Sequence, residues 1–150
     1  MSTRKDQMLQ GVEAITGCVF QDPDILWEAL HAPGAVSRDI GGRNLADGNK
    51  RLALVGDAFM KAALLTRWYL SNAARGIGNN MVSTTLSNNN LASVGNSLGL
   101  DAFIVKHPGQ FGPLGNGTIS DTIEAIIGAV WEDSKDFDKV VAVMGTLGLA

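Results

Sequence analysis

A long apolar run from Leu52 to Leu65 contains a single carboxylate, Asp57, with Gly56 directly before it. The run is long enough to form a helix that is buried around most of its circumference. Burying a charged carboxylate without a partner costs several kcal/mol, so Asp57 needs a cation, a hydrogen-bond donor or a cleft. A fold for this chain must therefore supply one of these three beside a core helix.

A second segment, which begins at Asp121, has the same character. Asp121 and Glu124 precede an apolar helical run, and Gly128 follows Glu124 by one turn. Because residues three or four apart share a helix face, these three residues line up along one side. If that side packs against the Asp57 helix, Gly56 and Gly128 allow a close approach of the two backbones. The three acids would then converge on one point.

Converging carboxylates repel one another unless a hard divalent cation lies between them. Mg²⁺ (or Mn²⁺), which prefers oxygen ligands and keeps part of its water shell, suits such a set. We therefore expect Asp57, Asp121 and Glu124 to bind a metal ion. Spacing leaves an alternative open, in which Asp121 is an acid favoured by the helix dipole behind Ser120 as the N-cap. In that alternative Glu124 is solvated and Asp57 bonds to a nearby backbone group.

Composition indicates one globular domain over residues 1–150, with 45% hydrophobic and 18% charged residues. No apolar run approaches the roughly 18 residues of a membrane span, so we expect no membrane association. The single Cys18 cannot form an internal disulfide, and the N-terminus lacks the apolar core of a secretory signal. These features favour an intracellular setting.

The net charge of −3 is not that of a protein that holds nucleic acid by a broad basic surface. It weighs against tight, independent RNA binding. It does not exclude a nuclease whose metal ions screen the phosphates locally.

Helical periodicity dominates the chain, and we find no period-2 strand pattern. Glycine-rich and proline-rich segments at 34–44 and 106–117 predict loops. The pattern predicts an all-α fold with helices at about 6–16, 23–31, 47–74, 80–98, 118–134 and 136–146. Gly17 is expected to end the first helix, residues 75–78 to close the third, and residues 88–90 to interrupt the fourth.

Both acidic segments resemble one known family. NKRLALVGDAFM is similar to the ribonuclease III signature, NERLEFLGDAVL, and DTIEAIIGAVWED is similar to that family's second motif, DxxEAxIGAxYxD. Between them, LSNNNLASVGNSLGL resembles the family's middle segment, in which a helix ends in LGL. The resemblance covers about residues 10–145, with the motifs in the family's order.

The resemblance implies a site of four acids that bind divalent metal. Three of them correspond to Asp57, Asp121 and Glu124, while the fourth falls on Ala53. One turn before Ala53, another family glutamate falls on Lys50. The helix face that precedes Asp57 therefore carries a cation and a methyl group where the family has two acids. Mg²⁺ affinity should be weakened but need not be abolished, because water can replace a missing ligand.

Substrate contacts are expected at Lys50, through a phosphate oxygen, at Asn49, which matches the signature, and at Asn89. The run Asn88 to Asn90 is either a polar break between helices or a contact with ribose and phosphate. Other departures are a loosely matched LTH segment near Leu30 and the lack of a basic residue at 80–86. No double-stranded-RNA-binding domain is recognisable in the sequence. We therefore expect substrate binding to depend on this domain or on a ribonucleoprotein partner.

The expected protein is thus a ribonuclease III endonuclease domain-like helical bundle that forms a homodimer. The apolar residues expected at its two-fold interface are Leu54, Val55, Phe59 and Trp68. The implied activity is metal-assisted hydrolysis of double-stranded RNA, with Asp57, Glu124 and Asp121 as the catalytic residues and each subunit cutting one strand.

Two other functions stay open. Ala53 and Lys50 favour a catalytically degenerate domain that acts as a duplex-RNA-binding or ribonucleoprotein scaffold. A helical metal-dependent phosphohydrolase acting on nucleotides is the third interpretation, although no sequence feature indicates a nucleotide pocket.

Overall fold

The computed structural model describes residues 1–35, 39–43 and 45–150, and the fold within them is helical. Two isolated bridges, His31 with Val105 and Ile40 with Arg43, are the only β-pairings in these ranges. The helices are α1 (Arg4–Thr16), α2 (Pro23–Ala29), α3 (Lys50–Leu70), α4 (Arg75–Thr85), α5 (Asn88–Ser97), α6 (Asn116–Ser134) and α7 (Phe137–Thr146), with a 3₁₀ turn at Leu100–Phe103 between α5 and α6. The predicted all-α fold is confirmed; of the predicted loop at 34–44, residues 36–38 and 44 lie outside the described ranges.

The first helix shows why local sequence predicts some boundaries well. Thr3 caps α1 by accepting from the Asp6 amide, and the Asp6 carboxylate accepts from the Thr3 amide in return. Gly17 ends the helix in the left-handed region, at φ 69°, where a glycine is not strained. Both signals involve neighbours in sequence, and the predicted end of this helix is confirmed.

The prediction that the third helix continues to Ala74 was wrong. Helix α3 ends at Leu70, and Asn72 turns the chain with a φ of 60°. The residues expected to close it instead begin α4. Trp68 stabilises this corner, because its indole Nε1 donates to the Ala74 carbonyl oxygen at 3.0 Å. A Cβ on Gly78 would lie 2.8 Å from the same indole, so this glycine permits the packing of α4 on α3.

The helix predicted at 80–98 is two helices. Helix α4 ends at Thr85, and Ser87 caps α5 by accepting from the Asn90 amide at 3.2 Å. The predicted interruption exists, but it lies at Leu86 and Ser87, and the asparagine run forms the first turn of α5.

Helix α6 also starts earlier than predicted, at Asn116. Asp121 consequently lies in the second turn of α6 and is not directly behind an N-cap. Ser120 is fully buried, and its hydroxyl donates to Asn88 Oδ1 at 2.9 Å. The alternative in which Ser120 caps the helix and Asp121 is its N-terminal acid was therefore wrong.

The crossing of α3 and α6 forms the centre of the core and is the most extensive contact between helices. A Cβ on Gly56 would lie 1.7 Å from the Glu124 carbonyl oxygen, and a Cβ on Gly128 would lie 2.1 Å from the Leu52 carbonyl oxygen. No side chain fits at either position, so the two backbones are in direct contact. The close approach predicted from these glycines is confirmed, and α2, α5 and α7 pack around the rest of α6.

Candidate active site

An open cavity of about 230 Å³ lies where α3 crosses α6. Its lining residues are Lys50, Ala53, Leu54 and Asp57 from α3 and Asp121 and Glu124 from α6. The close contact of the two glycines brings these helix faces together. The structure thus places the three acids predicted from sequence in the wall of one cavity.

The carboxylates in this cavity repel one another. The pKa of Glu124 is raised to about 7, chiefly by burial and then by the charge of Asp57, a hydrogen bond with Asp57 and the charge of Asp121. Glu124 therefore lies close to Asp57, and the two carboxylates disfavour each other's charge. The cavity has an excess of negative charge, which a bound cation would relieve.

Two lysines partly offset this charge. Lys61 Nζ lies 3.0 Å from Asp57 Oδ2, and Lys50 Nζ lies 3.7 Å from Asp121 Oδ2. The two lysine side chains are 50% and 60% exposed, so both ammonium groups lie at the solvent edge of the cavity. Sequence reasoning missed Lys61, although its position four residues after Asp57 on a helix is a recognisable signal.

Ala53 lies in the cavity wall and is 7% exposed. It is one turn before Asp57 on the same helix, so a carboxylate at this position would point into the same space. The methyl group leaves the α3 side of the cavity with one acid, while α6 supplies two.

The donor set fits a hard divalent cation in chemistry, because it consists of carboxylate oxygens around an open, water-accessible cavity. Within the described ranges, however, no three His, Cys, Asp or Glu side chains are arranged to hold a metal ion. The two aspartates pair with lysines. A metal ion would require Asp57, Asp121 and Glu124 to reorient toward it.

A model of the ribonuclease III domain matches residues 50–135, more than half of the chain and the whole of the cavity. The chain belongs to the ribonuclease III family. Among curated relatives, Ribonuclease 3 of Vibrio vulnificus strains YJ016 and CMCP6 are each 30% identical to it over 123 residues. These alignments cover 79% of this chain and 51% of each relative, so the chain spans about half their length.

Solved structures confirm the fold. Two structures of the nuclease domain of ribonuclease III from Campylobacter jejuni superpose with TM-scores of 0.75 and 0.73 at 20% identity. They cover 93% and 97% of this chain, and 94% of each of those domains is matched. The first was described for structural flexibility in the region involved in dimer formation.

The expected substrate contact of Asn49 requires correction. Asn49 is 1% exposed, and its side-chain amide donates to the Ala29 carbonyl oxygen at 2.8 Å and to Thr122 Oγ1 at 3.1 Å. These bonds join α2 and α6 at the start of α3. Asn49 is therefore a structural residue of this family member, and its match to the signature reflects folding of the site.

Asn89 is exposed in the first turn of α5, and its Oδ1 accepts from Asn116 Nδ2 at 3.3 Å. This contact links the starts of α5 and α6. Asn89 does not line the cavity, and its contact with RNA stays a prediction.

The four residues expected at a dimer interface differ in their exposure and in their contacts within the chain. Phe59 stacks on Trp131 with ring centroids 4.2 Å apart, and Trp68 packs on α4, so both are used within the chain. Leu54 is 76% exposed, while Val55 is partly buried. Of the four, Leu54 is the one fully available to a second molecule, because the two aromatic rings found partners on α4 and α6.

Proposed function

We propose that this chain is the nuclease domain of an endoribonuclease that hydrolyses double-stranded RNA with Mg²⁺ or Mn²⁺ and acts as a homodimer. The observation that carries the proposal is the convergence of Asp57, Asp121 and Glu124 on one open cavity. Membership of the ribonuclease III family supports the reaction class. The cavity is open enough for a backbone phosphate to approach the acids from solvent.

The residues of the cavity have different roles in this proposal. Asp57 and Glu124 would hold the cation, and Asp121 would ligate it or orient its ligands from the α6 side. When bound, the cation supplies Lewis-acid stabilisation of the phosphate and the leaving oxygen. Lys50, at the cavity edge, would neutralise a phosphate oxygen.

An exposed apolar row on α3 supports the homodimer. We call it the outer row; its residues are Leu54, Ala58, Ala62, Leu65 and Tyr69. They recur every three or four positions, so they form one stripe along the helix. Large exposed apolar stripes of this kind mark protein interfaces.

The outer row also connects the dimer to the cavity. Leu54 begins the row and lines the cavity as well. A second molecule that covers the row would therefore bring its own cavity close to the same interface. Two cavities near one two-fold axis would allow each subunit to cut one strand of a duplex.

A specific observation favours the scaffold as a second candidate. Ala53 removes one family acid, and Lys61 and Lys50 pair with two of the remaining three. In this candidate the fold and the dimer persist, and the chain binds duplex RNA without cutting it.

Incubation of a generic RNA duplex with the protein in Mg²⁺ or Mn²⁺ tests the proposal. We expect discrete products, which Asp57→Asn and Glu124→Gln should abolish without loss of helical content. Asp101→Asn is the matched control, because Asp101 is an exposed acid outside the cavity, and it should cut normally.

Binding of the duplex without cleavage in either metal would support the scaffold and overturn the enzyme. Equal cleavage by wild type and both cavity variants would remove these acids from the mechanism. A parallel assay of nucleotide hydrolysis tests the phosphohydrolase interpretation.

A further inference from the structure

Each aspartate of the cavity has its own lysine. Lys61 pairs with Asp57 along α3, and Lys50 pairs with Asp121 across the crossing of α3 and α6. Both lysines are residues of α3, so this one helix supplies the cations for acids on α3 and α6. Neither lysine takes part in the apolar core, since both are exposed.

These pairs change the charge that an incoming cation meets. With all groups ionised, three carboxylates and two ammonium groups leave one net negative charge instead of three. A divalent cation is drawn to the cavity less strongly, and it must compete for carboxylate oxygens that already have a partner. The lack of a ready three-ligand arrangement among the described residues agrees with this competition.

The geometry points to Lys61 and Lys50 as built-in counter-cations, which pair with the two aspartates of the acidic cavity in the metal-free protein and are displaced when a divalent cation binds. The inference rests on the metal binding of the proposed function. It adds that this chain's own lysines control its metal affinity. A divalent cation would bind only by breaking both lysine pairs, which frees the two ammonium groups at the cavity edge.

Lys61 should have the larger effect of the two. Its ammonium lies 3.0 Å from Asp57, compared with 3.7 Å between Lys50 and Asp121. A shorter separation makes the stronger ion pair, so removing Lys61 should free Asp57 more than removing Lys50 frees Asp121.

The test is Mn²⁺ binding to the RNA-free protein, measured by the paramagnetic resonance signal of free Mn²⁺, with Mg²⁺ as competitor. We expect Lys61→Met to bind Mn²⁺ roughly three- to tenfold more tightly than wild type, and Lys50→Met to bind it more tightly by a smaller factor. Lys61→Arg keeps the charge and should bind like wild type. Both lysines are exposed, so circular dichroism should show unchanged folding in every variant.

Lys139→Met is the matched control, because it removes one positive charge from an exposed helical position outside the cavity. It should leave Mn²⁺ affinity unchanged. The inference would be overturned if Lys61→Met and Lys50→Met bound Mn²⁺ only as tightly as wild type, or more weakly. It would also be overturned if Lys139→Met bound Mn²⁺ as tightly as the two cavity variants. Absence of Mn²⁺ binding in wild type and all variants would overturn it too. The duplex-cleavage assay decides the proposed function separately, because the binding test contains no RNA.

Discussion

The two faces of α3 have similar apolar composition but different partners. The inner face packs against the core, and its buried residues are Leu52, Ala53, Gly56, Met60, Ala63 and Leu64. The outer row is exposed along the same helix, with Leu54 at 76% and Tyr69 at 75%. This helix is apolar on most sides, but only one of those sides is buried within the chain.

The difference between the two faces locates the proposed metal site and the proposed dimer interface on one helix. The inner face is specified by glycine contacts that bring the helix backbones together. The outer row is exposed, and in the proposed dimer a second molecule covers it. Asp57 lies between the two faces and is half-buried, so a cavity at this position is reached from solvent and also borders the proposed interface.

Gly56→Ala should disrupt the packing of the inner face, and it has the largest expected effect of the changes considered. A Cβ at this position would lie 1.7 Å from the Glu124 carbonyl oxygen, so the helices must separate. We expect a loss of about 3 kcal/mol or more in the free energy of unfolding, measured by urea denaturation. Gly76→Ala is the control, because no atom lies within 4 Å of its Cβ, and the helix should become slightly more stable. Wild-type stability of Gly56→Ala would contradict the described crossing.

Leu54→Arg should affect the outer row and leave folding unchanged. Placing a charge at a buried apolar position of an interface commonly costs about 2–4 kcal/mol, so the dissociation constant of the proposed dimer should rise by roughly a hundredfold. Sedimentation at micromolar concentration measures the change from dimer to monomer. Phe111→Arg is the control, since Phe111 is an exposed apolar residue on a loop, away from α3. A wild type that sediments as a monomer would refute the dimer itself.

Ala53→Glu adds a carboxylate to the cavity wall and tests whether this side of α3, unlike the outer row, can hold a metal ligand. The new acid lies one turn before Asp57 and should tighten Mn²⁺ binding by about 1–3 kcal/mol, or roughly ten- to a hundredfold. Ala58→Glu places the same acid on the outer row and should leave Mn²⁺ affinity unchanged. Lys50→Glu should have an intermediate effect. If Ala53→Glu, Ala58→Glu and Lys50→Glu all bound Mn²⁺ with the same affinity, residue 53 would not be a ligand position.

The smallest expected effect is on the pH dependence of stability. The pKa of Glu124 is raised from 4.5 to about 7 in the folded chain, chiefly by burial and then by Asp57. The folded chain therefore binds a proton more tightly than the unfolded chain, and stability falls as pH rises between these two values. Because Glu124 is only half-buried, we expect an effect on the order of 1 kcal/mol. Urea denaturation at about pH 5 and about pH 8, with a chelator present, should show this decrease in wild type and not in Glu124→Gln.

Much of the site was predictable because it depends on spacing. Positions three or four apart share a helix face, so Asp121, Glu124 and Gly128 had to line one side of α6 wherever that helix packed. A glycine next to Asp57 in an apolar run likewise indicated the close helix contact. The end of α1 at Gly17 was predictable for a similar reason, since this capping residue directly follows the helix in sequence; the start, at Arg4, is earlier than predicted.

Other features depended on contacts between residues distant in sequence. Asn49 matches a family motif, but its burial follows from Thr122, 73 positions away. The end of α3 at Leu70 is set together with the packing of Trp68 on α4, which turned an expected stop into a helix start. Local sequence determines which residues lie on one helix face, because helix geometry is the same everywhere. Which face is buried, and that Lys50 pairs with Asp121 across the crossing of α3 and α6, is decided by the tertiary structure, because burial and pairing between helices depend on what packs against that face.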